Sequence, residues 1–506
     1  MSSNASISGR ATWLLVAVAI ACAGFFAYRP FLGLAFLGLD TYPMIWSGRI
    51  LTPADFAGTF TEELMDGLYP DGHFYRPVAN LFFALDYALW KLSPRGYHIT
   101  DLAILITNAV LLAAFTRRLF GARAIVAALV AGLSFALHPI QLEIQPIPPR
   151  RADALCCTFL LAALLAQPRT AAPARVRTLL GALFVLLAAG SKESGAIAVP
   201  LIFTLHALSG EAATTRKRLT DAAQKTAAPL VALALYIAAR TAVLGGLGGH
   251  SGSSLDGLLQ APQLAGEYVE RVLYPQPLFG GADGLGPAFT WTLLVLLSLS
   301  TFAIWRWPGT SVVAERREVR TGFAFLGIWT ICVLAISSLA GRVHDWYAML
   351  FLAPYAVLLG TLIGCGLALV AKKRPLPALL PIAAAACALA SHISSSSLVR
   401  TYPQWEQADE LARAQITRFD RLMDQWRPGK AVLDRFVPWV PPAENGSGVR
   451  GAFLQADHSL NAYARLIYPS KPVHVDFYTG EGPLPPSPSA DLLQVILFPG
   501  PSSALR

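Results

Sequence analysis

Charge is scarce in this 506-residue chain. Asp, Glu, Lys and Arg make up 14% of it and hydrophobic residues 54%, where a soluble globular protein carries roughly 25% charged residues. An ordinary soluble domain is excluded. Cysteine is scarce as well: Cys22, Cys156, Cys157, Cys332, Cys365 and Cys387 all lie inside apolar runs and none has CxxC spacing, so neither a disulfide framework nor a zinc site is indicated. The sequence has no phosphate-loop pattern, no HExxH and no GxSxG, which removes the nucleotide-binding, metalloprotease and hydrolase readings those motifs carry. No repeat period shows. The net charge of +9 does not mark a nucleic-acid binder, because Lys and Arg concentrate in short links between apolar runs and form no basic face interleaved with aromatics.

What the chain does have is long apolar runs, at 12–34, 98–116, 120–138, 152–167, 178–189, 195–210, 227–246, 287–305, 321–340, 347–370 and 375–392. Crossing a bilayer takes roughly 20 apolar residues per helix, so the expectation is an all-α polytopic membrane protein with about eleven transmembrane helices. The first run, behind the single Arg10, reads as a retained span and not as a cleaved secretion signal. With the N-terminus inside, the inner links hold Arg117, Arg118 and Arg123; Arg169, Arg175 and Arg177; Arg216, Lys217, Arg218 and Lys225; Arg306, Arg316, Arg317 and Arg320; and Lys372, Lys373 and Arg374. Each is basic, as cytoplasmic links are. Residues 1–392 then form the membrane domain, with a first outer loop at 35–97 and a second at 138–152. Within the first, 53–69 and 78–92 read as interfacial helices.

Residues 393–506 form a small extracytoplasmic α/β domain in this reading. "WEQADELARAQITRFDRLM" puts Trp405, Ala408, Ala412, Ile416, Phe419 and Met423 on one helical face. "KAVLDRFVPWV", "SLNAYARLIYP", "KPVHVDF" and "DLLQVILFPG" follow as strand, helix, strand and strand. "VPPAENGSGVRG", "EGPLPPSPSA" and the Gly-rich 245–252 stretch read as loops.

Ionisable groups at membrane depth are costly and mark function. Here they gather at the outer ends of spans: Asp40, His98, Asp101, His138, Asp153, Lys192, Glu193, Arg240, Arg342, His344 and Asp345. A transporter needs polar residues at the midplane, whereas a cluster at one rim fits a reaction site that opens outward. Nucleotide-activated donors are cytoplasmic, so a transferase there needs a lipid-linked donor. The departing phosphate calls for Arg or Lys, and a hydroxyl acceptor needs one carboxylate to take its proton. Plain alternatives stay open at each position. Asp40 and Asp153 could cap helices. Glu143 and Arg151 could be a loop ion pair. Lys192 and Glu193 could be an interfacial salt bridge, and Arg240 could snorkel. His98 and His138 could be satisfied by backbone, and the "HDWY" aromatics could belong to an interface belt.

"LGLDTYPMI", "YRPV…FFALDYALW…GYHITDLAIL", "HPIQLEIQPIPPRRADAL" and "AGSKESGAIAVPLIF" resemble the membrane domain of GT-C glycosyltransferases. They are most similar to protein O-mannosyltransferases, including those that carry tetratricopeptide repeats, which are missing here. The resemblance covers roughly residues 35–205. It implies a GT-C-like fold that moves a sugar, mannose being one choice, from a polyprenyl-phosphate carrier to a protein, lipid or glycan acceptor. Asp40 and Glu143 would be catalytic. Arg76, His98, His138, Arg151, Asp153, Lys192, Glu193 and Arg240 would bind substrates, with Lys192 and Arg151 or Arg240 on the phosphate. Asp40 is followed by Thr41 where many relatives have a second acid, so a divalent metal is left open. The expected location is a bacterial inner membrane with the site on its outer face. A lipid or solute transporter, or a scaffold acting through the tail, is the competing reading.

Overall fold

The computed structural model describes residues 2–67, 72–121, 124–168, 175–209, 214–246, 248–250, 260–273, 286–306, 316–339, 345–373, 375–395, 398–427, 431–436, 457–477 and 493–499. Each of the eleven apolar runs is largely helical over its described residues. In chain order the helices are α1 (Ser2–Tyr28), α2 (Thr41–Gly48), α3 (Pro53–Thr61), α4 (Pro77–Trp90), α5 (Pro94–Phe120), α6 (Ile125–Ala136), α7 (Gln141–Ile144), α8 (Arg151–Ala166) and α9 (Arg175–Ser191). They continue with α10 (Ala198–Ser209), α11 (Thr215–Leu244), α12 (Ala261–Leu273), α13 (Gly286–Arg306), α14 (Arg316–Ser338), α15 (Met349–Ala371), α16 (Pro375–Ser395), α17 (Leu398–Asp424) and α18 (Asp457–Ile467). Among the described residues, six segments are long and apolar enough to cross a membrane: Arg10–Gly33, Pro94–Phe120, Thr215–Leu244, Ala288–Arg306, Arg317–Ser338 and Trp346–Ala371. Ile125–Ala136, Glu193–Ser209 and Pro377–His392 are apolar but shorter. The chain is a multi-pass integral membrane protein.

Between helices in lipid there is no hydrophobic drive, so close approach depends on small residues. α15 and α6 meet this way. A Cβ on Gly360 would lie 2.2 Å from the Ala127 carbonyl oxygen, and one on Gly364 would lie 3.1 Å from the Ala127 Cβ. The spacing of four places both glycines on one face of α15.

The described residues of 35–97, the segment expected to form the first outer loop, are more folded than their sequence suggests. Thr52 and Asp55 form a capping box that starts α3, which stops at Thr61, short of the expected 53–69. Phe56 and Phe60 remain exposed, as an interfacial helix requires. α4 covers the other candidate, but Asp86 does not interrupt an interfacial face: it is buried. The Gly-rich stretch is not only loop. Gly249 and His250 (β2) pair antiparallel with Gly72 and His73 (β1), tying the end of α11 to the first outer loop.

In the C-terminal part, α17 buries Trp405, Ala408, Ala412, Phe419 and Met423, with Ile416 half-buried. Strands β3 (Ala431–Phe436), β4 (Val473–Phe477) and β5 (Leu493–Pro499) form a parallel sheet in the order β3-β5-β4. The side chain of Asn461 on α18 both donates to and accepts from the Val475 backbone, at 3.0 and 2.9 Å, which locks the helix onto β4. The "VPPAENGSGVRG" and "EGPLPPSPSA" loops, together with Arg123, Arg169, Arg342, His344 and Arg374, fall outside the described residues.

Candidate active site

One polar cluster is assembled from four separate segments. Pro77 occupies the first turn of α4, and Arg76 is the cap residue before it. α9 ends at Ser191, Lys192 is extended, and Glu193–Ile197 form a 3-10 turn that leads into α10. This turn needs glycine: a Cβ on Gly195 would lie 2.4 Å from the Ala188 backbone carbonyl carbon. Asp153 sits in the first turn of α8, and Arg240 lies one turn before the end of α11. The Arg76 guanidinium donates to both Glu193 carboxylate oxygens, at 3.1 and 2.8 Å, and Arg240 lies 3.9 Å from the same carboxylate. Lys192 Nζ donates to Asp153 Oδ1 at 2.6 Å and sits 3.9 Å from the Tyr347 ring centre. Arg240 also donates to the Tyr236 hydroxyl, which in turn donates to the Tyr75 carbonyl. Among the described residues this cluster holds three cations and two carboxylates. These pairs place the start of α4, the start of α8, and the ends of α9 and α11 at one end of the bundle.

The Glu193 side chain is 36% exposed while those of Arg76, Lys192 and Arg240 are 15%, 8% and 7% exposed, so the cluster opens to its surroundings at Glu193. Burial works against its charge, yet the Arg76 guanidinium, helped by Lys192, holds the carboxyl well below the usual carboxylate range.

Asp40 is the cap residue of α2, but its side chain makes no capping hydrogen bond. It is 36% exposed, and its Oδ1 lies 3.3 Å from Nε2 of His458 on α18. α2 lies against α4, where Gly48 leaves room for Phe83 and the Asn80 carbonyl. No cluster of three or more His, Cys, Asp or Glu side chains is placed to hold a metal among the described residues.

The other candidates have different surroundings. Arg151 is 1% exposed, with its guanidinium on Asp86 and, at 2.9 Å, on Asp101, between the Phe83 and Tyr97 rings. Asp86 also accepts from Thr100 at 2.6 Å. Glu143 does not pair with Arg151. Its partner is Arg150, which donates to both the Glu143 carboxylate and its carbonyl and lies 3.7 Å from the Trp346 ring. The Trp346 and Tyr347 rings of "HDWY" lie against the cations of Arg150 and Lys192. His98 uses Nε2 on the Ala35 carbonyl at 3.3 Å. His138 accepts from the Ile140 backbone at Nδ1 and donates from Nε2 to the Val272 carbonyl, so its tautomer is fixed by backbone. Its ring meets that of His392, which also contacts the Tyr355 hydroxyl. Near Tyr355 an apolar groove of about 430 Å³ runs between α12, α13, α14 and α15, lined by Leu273, Leu297, Phe302, Phe323 and Phe351 among others.

Asp86, Arg150, Tyr347, His392 and His458 are absent from the residues the sequence singles out for the site. Asp86 carried a signal, a lone acid in an apolar segment; His458 carried none.

No family model matches the chain. Over 99 residues it is 32% identical to protein O-mannosyl-transferase TMTC3 of Mus musculus, and over 101 residues 36% identical to the Homo sapiens protein. Each match takes in 20% of this chain and 10% of the relative, so the similarity spans a small part of those proteins. Among solved structures, the chain is similar to the Archaeoglobus fulgidus oligosaccharyltransferase in its apo form, with 16% identity and a TM-score of 0.43 over 76% of this chain and 56% of that one. ArnT from Cupriavidus metallidurans, solved bound to undecaprenyl phosphate, gives 14% identity and a TM-score of 0.44 over 90% and 84%. The chain is a multi-pass membrane protein with a stretch of about a hundred residues similar to protein O-mannosyl-transferase TMTC3.

Proposed function

We propose that this chain is a membrane glycosyltransferase that moves a sugar from a polyprenyl-phosphate carrier to an acceptor hydroxyl outside the cytoplasm. The observation that carries this reading is the convergence of Arg76, Lys192 and Arg240 at one end of the bundle, beside a partly exposed carboxylate. The fork that Arg76 makes on Glu193 is the geometry a guanidinium uses on phosphate.

In the reaction the acceptor oxygen attacks the anomeric carbon and its proton passes to Asp40. The bond between that carbon and the phosphate oxygen breaks, and the electron pair stays on the leaving lipid phosphate. Arg76, Lys192 and Arg240 stabilise that charge. Asp153 and Glu193 hold these cations in place before the donor arrives. Arg151 has no part in phosphate binding, because Asp86 and Asp101 occupy its guanidinium inside the protein. Glu143 is likewise committed to Arg150 and is fully buried. The apolar groove beside Tyr355 takes the start of the polyprenyl tail.

The similarity to TMTC3 makes mannose the first sugar to try and a protein hydroxyl the first acceptor. The basic inner links favour a site on the outer face; a bacterial inner membrane is part of the proposal. The test is transfer from polyprenyl-phosphate mannose in proteoliposomes, with wild type against Asp40→Asn and Lys192→Gln. Labelled product from wild type alone is expected. Lipid or solute movement without any glycosylated product would overturn the reading, whereas full turnover in Asp40→Asn would reject Asp40 as the base.

A further inference from the structure

The C-terminal segment clasps the stretch of chain that carries Asp40. The Ser459 hydroxyl donates to the Leu39 carbonyl, the residue immediately before Asp40. The Tyr463 ring meets Tyr42 edge-on at 4.9 Å, and the Arg465 guanidinium lies 4.9 Å from the Trp46 ring centre. On the other flank, Arg413 of α17 donates to the Gly33 carbonyl at 3.0 Å. Contacts at positions 33, 39, 42 and 46 bracket Asp40 on both sides. The helix that brings them is itself fixed, by Asn461 to β4 and by the Tyr463 hydroxyl, which donates to Asp420 on α17 at 2.9 Å.

Within this clasp, His458 Nε2 faces Asp40 Oδ1 at 3.3 Å. The His458 side chain is 11% exposed, while Asp40 keeps 36% of its own surface open. Since Asp40 makes no bond to the α2 cap, the histidine is the contact that selects its rotamer among the described residues. We infer that His458 is a positioning residue for the transfer site: it holds Oδ1 of Asp40 and so turns Oδ2 toward the acceptor hydroxyl. The C-terminal segment then supplies part of the site. This rests on Asp40 being the base.

A carboxylate released from its orienting partner samples several rotamers, and misplacement on the scale of 1 Å costs up to about a hundredfold in rate. His458→Ala is therefore expected to lower kcat by roughly ten- to a hundredfold with the KM for donor little changed. His458→Gln, whose amide N–H reaches the same oxygen, should recover most of that loss. A second measurement needs no turnover. In full-length protein, carbodiimide labelling of Asp40, read by mass spectrometry, should be faster in His458→Ala than in wild type or His458→Gln.

Unchanged kcat in His458→Ala with an active wild type would overturn the inference and leave the transferase reading standing. So would a loss that Gln does not repair and that follows a lowered melting temperature. Equal Asp40 labelling in all three proteins would overturn it even if no transfer is ever detected, whereas an inactive wild type with the expected labelling sinks only the transferase reading.

Discussion

Arg76 and Glu193 stand 117 positions apart in the chain and meet fork to fork, with nitrogen–oxygen distances of 3.1 and 2.8 Å. That pair joins the first outer loop to the turn between α9 and α10, and it gives the first prediction. Arg76→Lys keeps the charge and loses the planar two-point grip. A charge-assisted hydrogen bond contributes about 1.5 kcal/mol, so the KM for polyprenyl-phosphate sugar should rise roughly tenfold. Steady-state kinetics on proteoliposomes measures it, and an unchanged KM would remove Arg76 from the donor site.

The same pair sets a pH dependence. The folded-state pKa of Glu193 lies below its ordinary value, so the stabilisation it brings is fully present above the unfolded value of about 4.3. It fades only as the pH falls further, toward the lower folded value. The difference in melting temperature between wild type and Glu193→Gln should hold steady from about pH 8 to pH 5 and shrink below about pH 4. A difference that changes across neutral pH would contradict this.

In the proposed site Arg151 is structural. Its guanidinium is shared by Asp86 and Asp101 inside the protein, and removing one side of such a buried set costs about 3–5 kcal/mol. Arg151→Ala should lower the melting temperature in detergent sharply. Apolar replacement of Arg151, Asp86 and Asp101 together should restore much of it. Arg76→Lys should lower the melting temperature far less, so the two arginines separate by experiment.

Gly195 lies against the backbone of Ala188 so closely that a methyl group forces a shift. Gly195→Ala should displace the turn that carries Lys192 and Glu193. Transfer should fall at least tenfold while the protein still inserts and purifies as wild type does, because a displacement on the order of 1 Å suffices. Normal turnover would show that the turn can yield.

The apolar groove yields the last test. Leu297 lines it midway along α13, and a tryptophan there would fill space that a polyprenyl tail needs. Leu297→Trp should raise the KM for long-chain donors more than for short-chain analogues. An equal effect on both would place the tail elsewhere.

The helices were legible because twenty apolar residues in a row leave the backbone few alternatives in lipid. The buried face of α17 was legible for a related reason: Trp405, Ala408, Ala412, Phe419 and Met423 repeat at helical spacing. The pairing of the polar residues was not. Glu143 takes Arg150 and not Arg151 because one arginine ends a 3-10 turn and the other begins α8, so adjacent side chains leave in different directions. Asp86 read as a flaw in an apolar segment, and only the fold shows Arg151 facing it. His458 lies 418 positions from Asp40 on a helix whose own periodicity says nothing about that contact.

α17 and α18 leave the ribosome after α1–α16 have been made, and they are what closes over positions 33–46. Through most of synthesis the nascent protein thus carries Asp40 beside the membrane without its histidine. On the role proposed for His458, maturation ends with a folding-back step, and a translation product cut off before α18 should insert normally yet transfer sugar poorly.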